Sequence, residues 1–310
     1  MGEPAVSAVG LTKVYGGVRA VDGVSFDVEA GEVFSLLGPN GAGKTTTVEM
    51  LECLRTPTSG DAYIMGYSIR NRSEAGKIRK IIGVLPQEFH AVDNLTVYEN
   101  VLLAAAAKKN ATGLKEILEG LGLWDVRDRR FSKLSGGMKR KVGIAMALVG
   151  EPEVVFLDEP TTGLDPEARR ETWRYILAMK KEGRAILLTT HYMEEAERLS
   201  DRLAIMVKGK IAAIGKTQEL VSQGGRVLKV SLEGLTESLA AELRATGYAV
   251  IFSSNDRAVI NLTSREELLK LLTTLEVRGF RGVYEVRSAG LEEVFLATVG
   301  SKLTETGDLA

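Results

Sequence analysis

One stretch limits what this chain can fold into more than any other. Residues 33 to 47 read Val-Phe-Ser-Leu-Leu-Gly-Pro-Asn-Gly-Ala-Gly-Lys-Thr-Thr-Thr. The apolar run Val33–Leu37 is bounded by glycine and predicts a short buried strand. Gly38-x-x-x-x-Gly43-Lys44-Thr45 follows at once and fits the phosphate-loop pattern. Its glycines let the backbone curl until the N–H groups converge on phosphate oxygens. A helix starting near Lys44 adds the positive end of its dipole to the same spot. Lys44 supplies a mobile cation for β- and γ-phosphates, and Thr45 a hydroxyl for Mg²⁺. The competing reading is an ordinary glycine-rich turn between strand and helix. The strand in front and the patterns that follow weigh against it.

Residues 154 to 159, Val-Val-Phe-Leu-Asp-Glu, carry the second strong pattern. A β-branched and aromatic run predicts a central parallel strand, so the fold class is α/β. The run ends in adjacent carboxylates, at the strand end where ligands bind in such sheets. Successive strand residues point opposite ways, so the two acids can divide the work. Asp158 can orient Mg²⁺, and Glu159 can orient and polarise an attacking water.

Other features are weaker taken one at a time. Tyr15 precedes a Gly-Gly turn; it can stack on an adenine ring or simply be a half-buried strand tyrosine. Gln87 follows the apolar residues 81 to 85; it can reach a metal or water, or be a solvated loop residue. Thr96-x-x-Glu99 predicts a capping box, and residues 94 to 131 turn helical. Ser135-Gly136-Gly137 predicts a capped helix start with exposed N–H groups, a geometry that also binds anions. His191 lies just past the apolar residues 185 to 189, within reach of a γ-phosphate. Residues 203 to 207 and 211 to 213 predict a hairpin about Gly209. After glycines at 215, 224 and 225, the pattern predicts β-α-β-β-α-β, with a turn at 254 to 256 and a last helix Leu291–Val299. That order is the split-βαβ, ferredoxin-like one, and no catalytic constellation stands in it.

Composition excludes several classes. The chain has 310 residues, which suggests two domains, and a formal net charge of −1. Nothing in that balance suggests a general nucleic-acid binder. Cys53 is the sole cysteine, so no internal disulfide forms, which fits a reducing compartment. No Cys/His cluster has metal-ligand spacing. No apolar run approaches the roughly 18 residues that suggest a membrane span.

In order and spacing these motifs resemble those of the ATP-binding-cassette ATPases. The resemblance covers residues 5 to about 216. Tyr15 matches the adenine-stacking aromatic, and Gly38, Pro39, Asn40, Gly41, Ala42, Gly43, Lys44, Thr45 and Thr46 the Walker A loop. Gln87 matches the Q-loop, and residues 154 to 159 match Walker B. Residues 163 to 165, ending in Asp165, match the D-loop, and His191 the switch histidine. Residues 134 to 138 resemble the signature Leu-Ser-Gly-Gly-Gln, with Met138 in place of glutamine. The resemblance implies a P-loop NTPase cassette over 1–216: a mixed sheet with a RecA-like core, an N-terminal antiparallel β part and a helical insert at about 88–150. Residues 217–310 would form the α+β accessory domain. It further implies catalytic roles for Glu159, His191 and Gln87. Nucleotide contacts would come from Tyr15, the loop, Ser135, Gly136, Gly137 and Asp165. Thr45, Gln87 and Asp158 would hold the metal, with ATP and Mg²⁺ as the implied cofactors.

Residues 189 to 197 and 291 to 296 are similar to exporters of the drug-resistance type. In that group the ATPase is a separate chain paired with a membrane permease. The expected function is therefore ATP hydrolysis at the interface of a head-to-tail homodimer. It would drive a permease from the cytoplasmic, inner face of the membrane, with drugs or other hydrophobic compounds as cargo. An importer ATPase is the alternative, since the cassette does not encode direction. A non-transport cassette acting on DNA or ribosomes is a further one. Against the latter stand a single cassette, no heptad insert and no basic face, so no nucleic acid is expected. A purely regulatory nucleotide binder would not need both Glu159 and His191.

Overall fold

The computed structural model describes residues 3–223, 228–253, 257–288, 290–300, 303–304 and 306–309. The chain divides into two compact units, Met1–Thr217 with Ser301–Ala310, and Gln218–Gly300. Residues past 300 thus group with the first unit, whereas the sequence placed them in the accessory domain.

In the first unit, β1 (Val6–Tyr15) and β2 (Val18–Val28) pair antiparallel and lead into β3 (Val33–Leu37) and α1 (Lys44–Leu51). Helix α1 ends at Leu51, and two residues on Cys53 takes a left-handed φ of 58°, which a continuing helix could not hold. There follow β4 (Ser59–Ile64), β5 (Tyr67–Ser68), α2 (Ala75–Ile81) and β6 (Ile82–Leu85). The helical insert holds α3 (Val97–Lys108), α4 (Leu114–Gly120) and α5 (Gly136–Leu148). The expected capping box forms: the Glu99 N–H donates to Thr96 Oγ1 at 3.1 Å, and the Thr96 N–H to Glu99 Oε2 at 2.7 Å. Then come β7 (Val154–Asp158), α6 (Pro166–Lys181), β8 (Ala185–Thr190), α7 (Met193–Leu199), β9 (Arg202–Val207) and β10 (Lys210–Lys216).

The large sheet has the order β10-β9-β3-β8-β7-β6, and the smaller one β2-β1-β4-β5. Strands β9, β3, β8, β7 and β6 run parallel, with β10 antiparallel at one edge. Both faces of the large sheet are covered, which is why β3 and β7 read as unbroken apolar runs. Phe34, Leu36, Val154 and Phe156 face the antiparallel sheet. Val33, Val155 and Leu157 face the helices with Val142, Trp173 and Ile176. Phe26 and Phe34 stack with ring centroids 5.0 Å apart and tie the two sheets together.

The second unit opens with α8 (Thr217–Gln223), at the division between the units. It continues through β11 (Leu228–Glu233), α9 (Glu237–Ala245), β12 (Val250–Ser253), β13 (Arg257–Leu262), α10 (Arg265–Val277), β14 (Val283–Ser288) and α11 (Leu291–Val299). The β-α-β-β-α-β order read from the sequence is the order found. Its antiparallel sheet runs β12-β13-β11-β14 over a core of its own, including Val230, Leu243, Ile260 and Leu271. The expected turn at 254 to 256 and the glycines 224 and 225 lie outside the described residues. Among the described residues no helix is long and apolar enough to cross a membrane.

Candidate functional site

Four neighbouring parallel strands deliver the site. In the order β3-β8-β7-β6, their carboxyl ends lie along one edge of the sheet. The phosphate loop follows β3, His191 follows β8, Asp158 and Glu159 end β7, and Gln87 lies just past β6. Residues scattered over 150 positions of sequence therefore meet because parallel strands present the same end to the same edge.

Two loop glycines are required by their surroundings. A Cβ on Gly38 would stand 2.2 Å from the Met206 carbonyl oxygen, and one on Gly43 2.3 Å from that of Ala20. Gly43 also takes a φ of 99°, a region L side chains avoid. It is the N-cap of α1, so the open N–H groups of that helix start at Lys44. Lys44 is buried, and its Nζ donates to the carbonyls of Gly38 at 2.7 Å and Pro39 at 2.9 Å. Burial lowers its pKa, against the raising charges of Glu159 and Asp158.

Glu159 is the hub. Its carboxylate lies 3.9 Å from Lys44 Nζ and 3.1 Å from His191 Nδ1, and accepts from Gln87 Nε2 at 3.5 Å and Thr162 Oγ1 at 3.0 Å. Burial pushes its carboxyl up, but His191, Lys44 and Thr162 outweigh burial and leave it below the usual carboxylate range. It is therefore a charged base at neutral pH. Its backbone takes a φ of 47°, an unusual conformation for a non-glycine residue, held by the Thr189 carbonyl at 3.2 Å and the Thr189 hydroxyl at 3.0 Å. Asp158 differs. Burial raises its pKa, opposed by hydrogen bonds from Thr189 and Thr45, with Glu159 raising it further.

Thr45, Gln87 and Asp158 line one cavity of about 280 Å³, with Glu49, Glu52 and Glu88 beside them. A hydroxyl, an amide oxygen and a carboxylate form the oxygen-rich set a hard divalent cation takes. Among the described residues no group of three or more His, Cys, Asp or Glu is placed to hold a metal alone. A cation here would need phosphate oxygens and water to complete its shell, as Mg²⁺ commonly does.

Ser135 and Asp165 form a second cluster. Ser135 caps α5, accepting from the Met138 N–H at 3.3 Å, and Asp165 caps α6, accepting from Glu167 and Ala168. A Cβ on Gly137 would lie 2.9 Å from that of Ala168, so only glycine lets these helix starts come so close. Gly136 opens α5 beside it. Tyr15 ends β1, 39% exposed, with Lys13 and Arg55 over its ring at 5.2 and 5.6 Å. Farther along the same hairpin, Ala20 abuts Gly43 of the loop.

Several residues that sequence reasoning passed over hold the site. Buried Arg140 of α5 donates to five carbonyls: Pro160 at 2.9 Å, Pro86 at 3.1 Å, Gln87 at 3.2 Å, Asp158 at 2.7 Å and Glu159 at 2.8 Å. It ties the helix of Ser135 to the ends of β6 and β7. In the sequence it is one of three consecutive basic residues, and only its placement on the inner face of α5 separates it from Lys139 and Lys141. Thr189 bonds both Asp158 and Glu159. Glu195, fully buried, accepts from Thr161 at 2.7 Å and Trp173 at 3.0 Å, and burial pushes its carboxyl up.

Known proteins align with this arrangement. Residues 21–162 match the ABC transporter family model. The chain is 38% identical to the daunorubicin/doxorubicin resistance ATP-binding protein DrrA of Streptomyces peucetius, over 96% of this chain and 92% of that protein. It is likewise 38% identical to a Nod factor export ATP-binding protein I of Ralstonia nicotianae, over 97% of this chain and 96% of that one. Among solved structures, it is similar to an ATP-binding cassette of an ABC transporter in its ADP conformation. There the TM-score is 0.65 at 27% identity, covering 70% of this chain and 93% of that one. A dimeric bacterial ABC transporter cassette matches with a TM-score of 0.62 at 28% identity, covering 68% of this chain and 98% of that one. With the loop, the paired acids, the histidine and the capped serine helix in one chain, and relatives aligned along nearly its whole length, the protein belongs to the ABC transporter family, among its ATPase cassettes.

Proposed function

We propose that the chain hydrolyses Mg-ATP as the ATPase subunit of an exporter, and that Glu159 orients the attacking water. The observation that carries this is the setting of Glu159: kept ionised and fixed between Lys44, His191, Gln87 and Thr162. The loop N–H groups and the start of α1 bind the phosphates. Lys44 exchanges the Gly38 and Pro39 carbonyls for phosphate oxygens. The Glu159 carboxylate accepts a hydrogen bond from water and aligns its lone pair with the γ-phosphorus. His191 and Gln87 hold that carboxylate in place and can contact the terminal phosphate. Thr45, Asp158 and Gln87 would hold Mg²⁺, which neutralises charge between the β- and γ-phosphates when bound. Tyr15 stacks the adenine.

Ser135, Gly136 and Gly137, with the open start of α5, cover the phosphates held by a second copy, and Asp165 approaches the same interface. Twofold symmetry then makes two equal sites. The dimeric cassette supports this reading. The resistance and Nod factor export relatives support a separate permease, with this chain on the membrane's inner face and hydrophobic compounds as cargo.

The test is Glu159→Gln. The amide keeps shape and removes the charge, so Mg-ATP binding persists while turnover falls by about 10²–10⁴. Equilibrium binding and steady-state phosphate release measure both. More than a tenth of wild-type turnover in the variant would refute the role.

A further inference from the structure

Residues 303, 304 and 306–309 fold back onto the phosphate loop, within the first unit. The segment is a small turn with its own scaffold. Leu303 bridges Leu309, the Thr304 N–H donates to the Asp308 carbonyl at 2.9 Å, and the Gly307 N–H donates to the Thr304 carbonyl at 3.0 Å. The Asp308 N–H donates to Thr304 Oγ1 at 3.0 Å. Thr304 and Thr306 hydroxyls meet at 2.8 Å, and Thr306 Oγ1 donates to Asp308 at 3.1 Å.

This turn takes hold of Asn40. The Asn40 N–H donates to the Gly307 carbonyl at 2.6 Å, and Asn40 Nδ2 to the Thr306 carbonyl at 2.8 Å and Asp308 Oδ1 at 3.5 Å. Gly307 is buried against His191: a Cβ there would lie 2.9 Å from His191 Cγ and 3.1 Å from Asn40 Oδ1. Its φ of +85° independently demands glycine. The turn therefore occupies the outer side of both a phosphate-loop residue and the histidine bonded to Glu159.

We propose that this turn is a built-in stop, which must leave Asn40 and His191 before the Ser135 helix of a second copy can close over the nucleotide. The inference rests on the shared-site reading above. While the turn is docked, the Asn40 N–H is committed to Gly307. The Asp308 carboxylate also stands beside a loop built to receive phosphate, where like charge disfavours the anion. Being part of the same chain, the turn rebinds at high effective concentration. The apparent dissociation constant of the closed dimer is thus raised by the reciprocal of the fraction of chains with the turn released, once for each copy that must release it.

The test uses the full chain carrying Glu159→Gln, which traps Mg-ATP. Gly307→Val cannot adopt the turn without striking His191. Thr304→Ala loosens the turn without adding bulk. Neither residue belongs to the catalytic set. Sedimentation with saturating Mg-ATP gives the protein concentration at half-dimerisation. Each added substitution should lower it by roughly three- to tenfold. An unchanged or raised midpoint with Gly307→Val overturns the proposal, as does a midpoint unmoved by Thr304→Ala. Equilibrium dialysis separates the two layers of inference. Intact ATP binding with an unmoved midpoint removes only the stop, whereas a Glu159→Gln chain that binds no Mg-ATP removes the ATPase reading and the stop together.

Discussion

Replacing Arg140 tests how the site is held together. Its guanidinium spreads five hydrogen bonds over the carbonyls of Pro86, Gln87, Asp158, Glu159 and Pro160. An ammonium carries three donors at one point, so Arg140→Lys takes the side-chain donor from at least two of those five oxygens. Pro86 and Gln87 are exposed and water can take the donor's place there, whereas an oxygen left unsatisfied at buried Asp158, Glu159 or Pro160 costs about 1–3 kcal/mol, so the first unit should lose roughly 1–3 kcal/mol. Arg140→Met loses every contact but also ends the cost of burying a charge, a cost visible in the burial that lowers the Arg140 pKa. The loss should then reach only about 3–5 kcal/mol, well short of five separate bonds. Urea unfolding followed by tryptophan fluorescence reads this directly, because both tryptophans, Trp124 and Trp173, lie in the first unit. Turnover should fall further than ATP affinity. The bonds of Arg140 set the positions of Gln87 and Glu159, and displacing a catalytic group by about 1 Å can cost ~10²-fold in rate. A lysine variant within about 0.5 kcal/mol of wild type, with more than half its turnover, would refute this account.

Two further outcomes follow from burial. Glu52 is pushed up to about 8 by burial, with the charges of Asp158 and Glu49 adding to it. A carboxyl raised when folded binds its proton more tightly than in the unfolded chain, so its contribution is full below the ordinary value near 4.5 and lost as pH rises through 8. Glu52→Gln should therefore gain on wild type between those pH values, by up to about 5 kcal/mol in nucleotide-free protein; a pH-independent difference in urea midpoints would exclude it. A chain of residues 1–217 should stay folded and bind ATP, because the cores of the two units share no residue. Loss of its tryptophan transition or of ATP binding would show that it depends on the rest of the chain.

The parts of this protein legible in sequence are those whose physics is local. An unbroken apolar run announced that β3 and β7 are covered on both faces. Thr96 with Glu99, and Ser135 before two glycines, announced helix starts, since a cap is completed within three residues. Gly38, Gly43, Lys44 and Thr45 announced the phosphate loop because the loop folds on itself. Tertiary structure decided what these pieces meet. Strand β8 inserts between β3 and β7 and so carries His191 to Glu159. Arg140 reaches across 54 residues of sequence to Pro86. Thr189 braces both acids, and Gly307 closes on Asn40 from the far end of the chain. No periodicity marks such residues. A side chain's partners across the sheet depend on strand order and burial, which arise from the packing of the whole unit rather than from its neighbours in sequence.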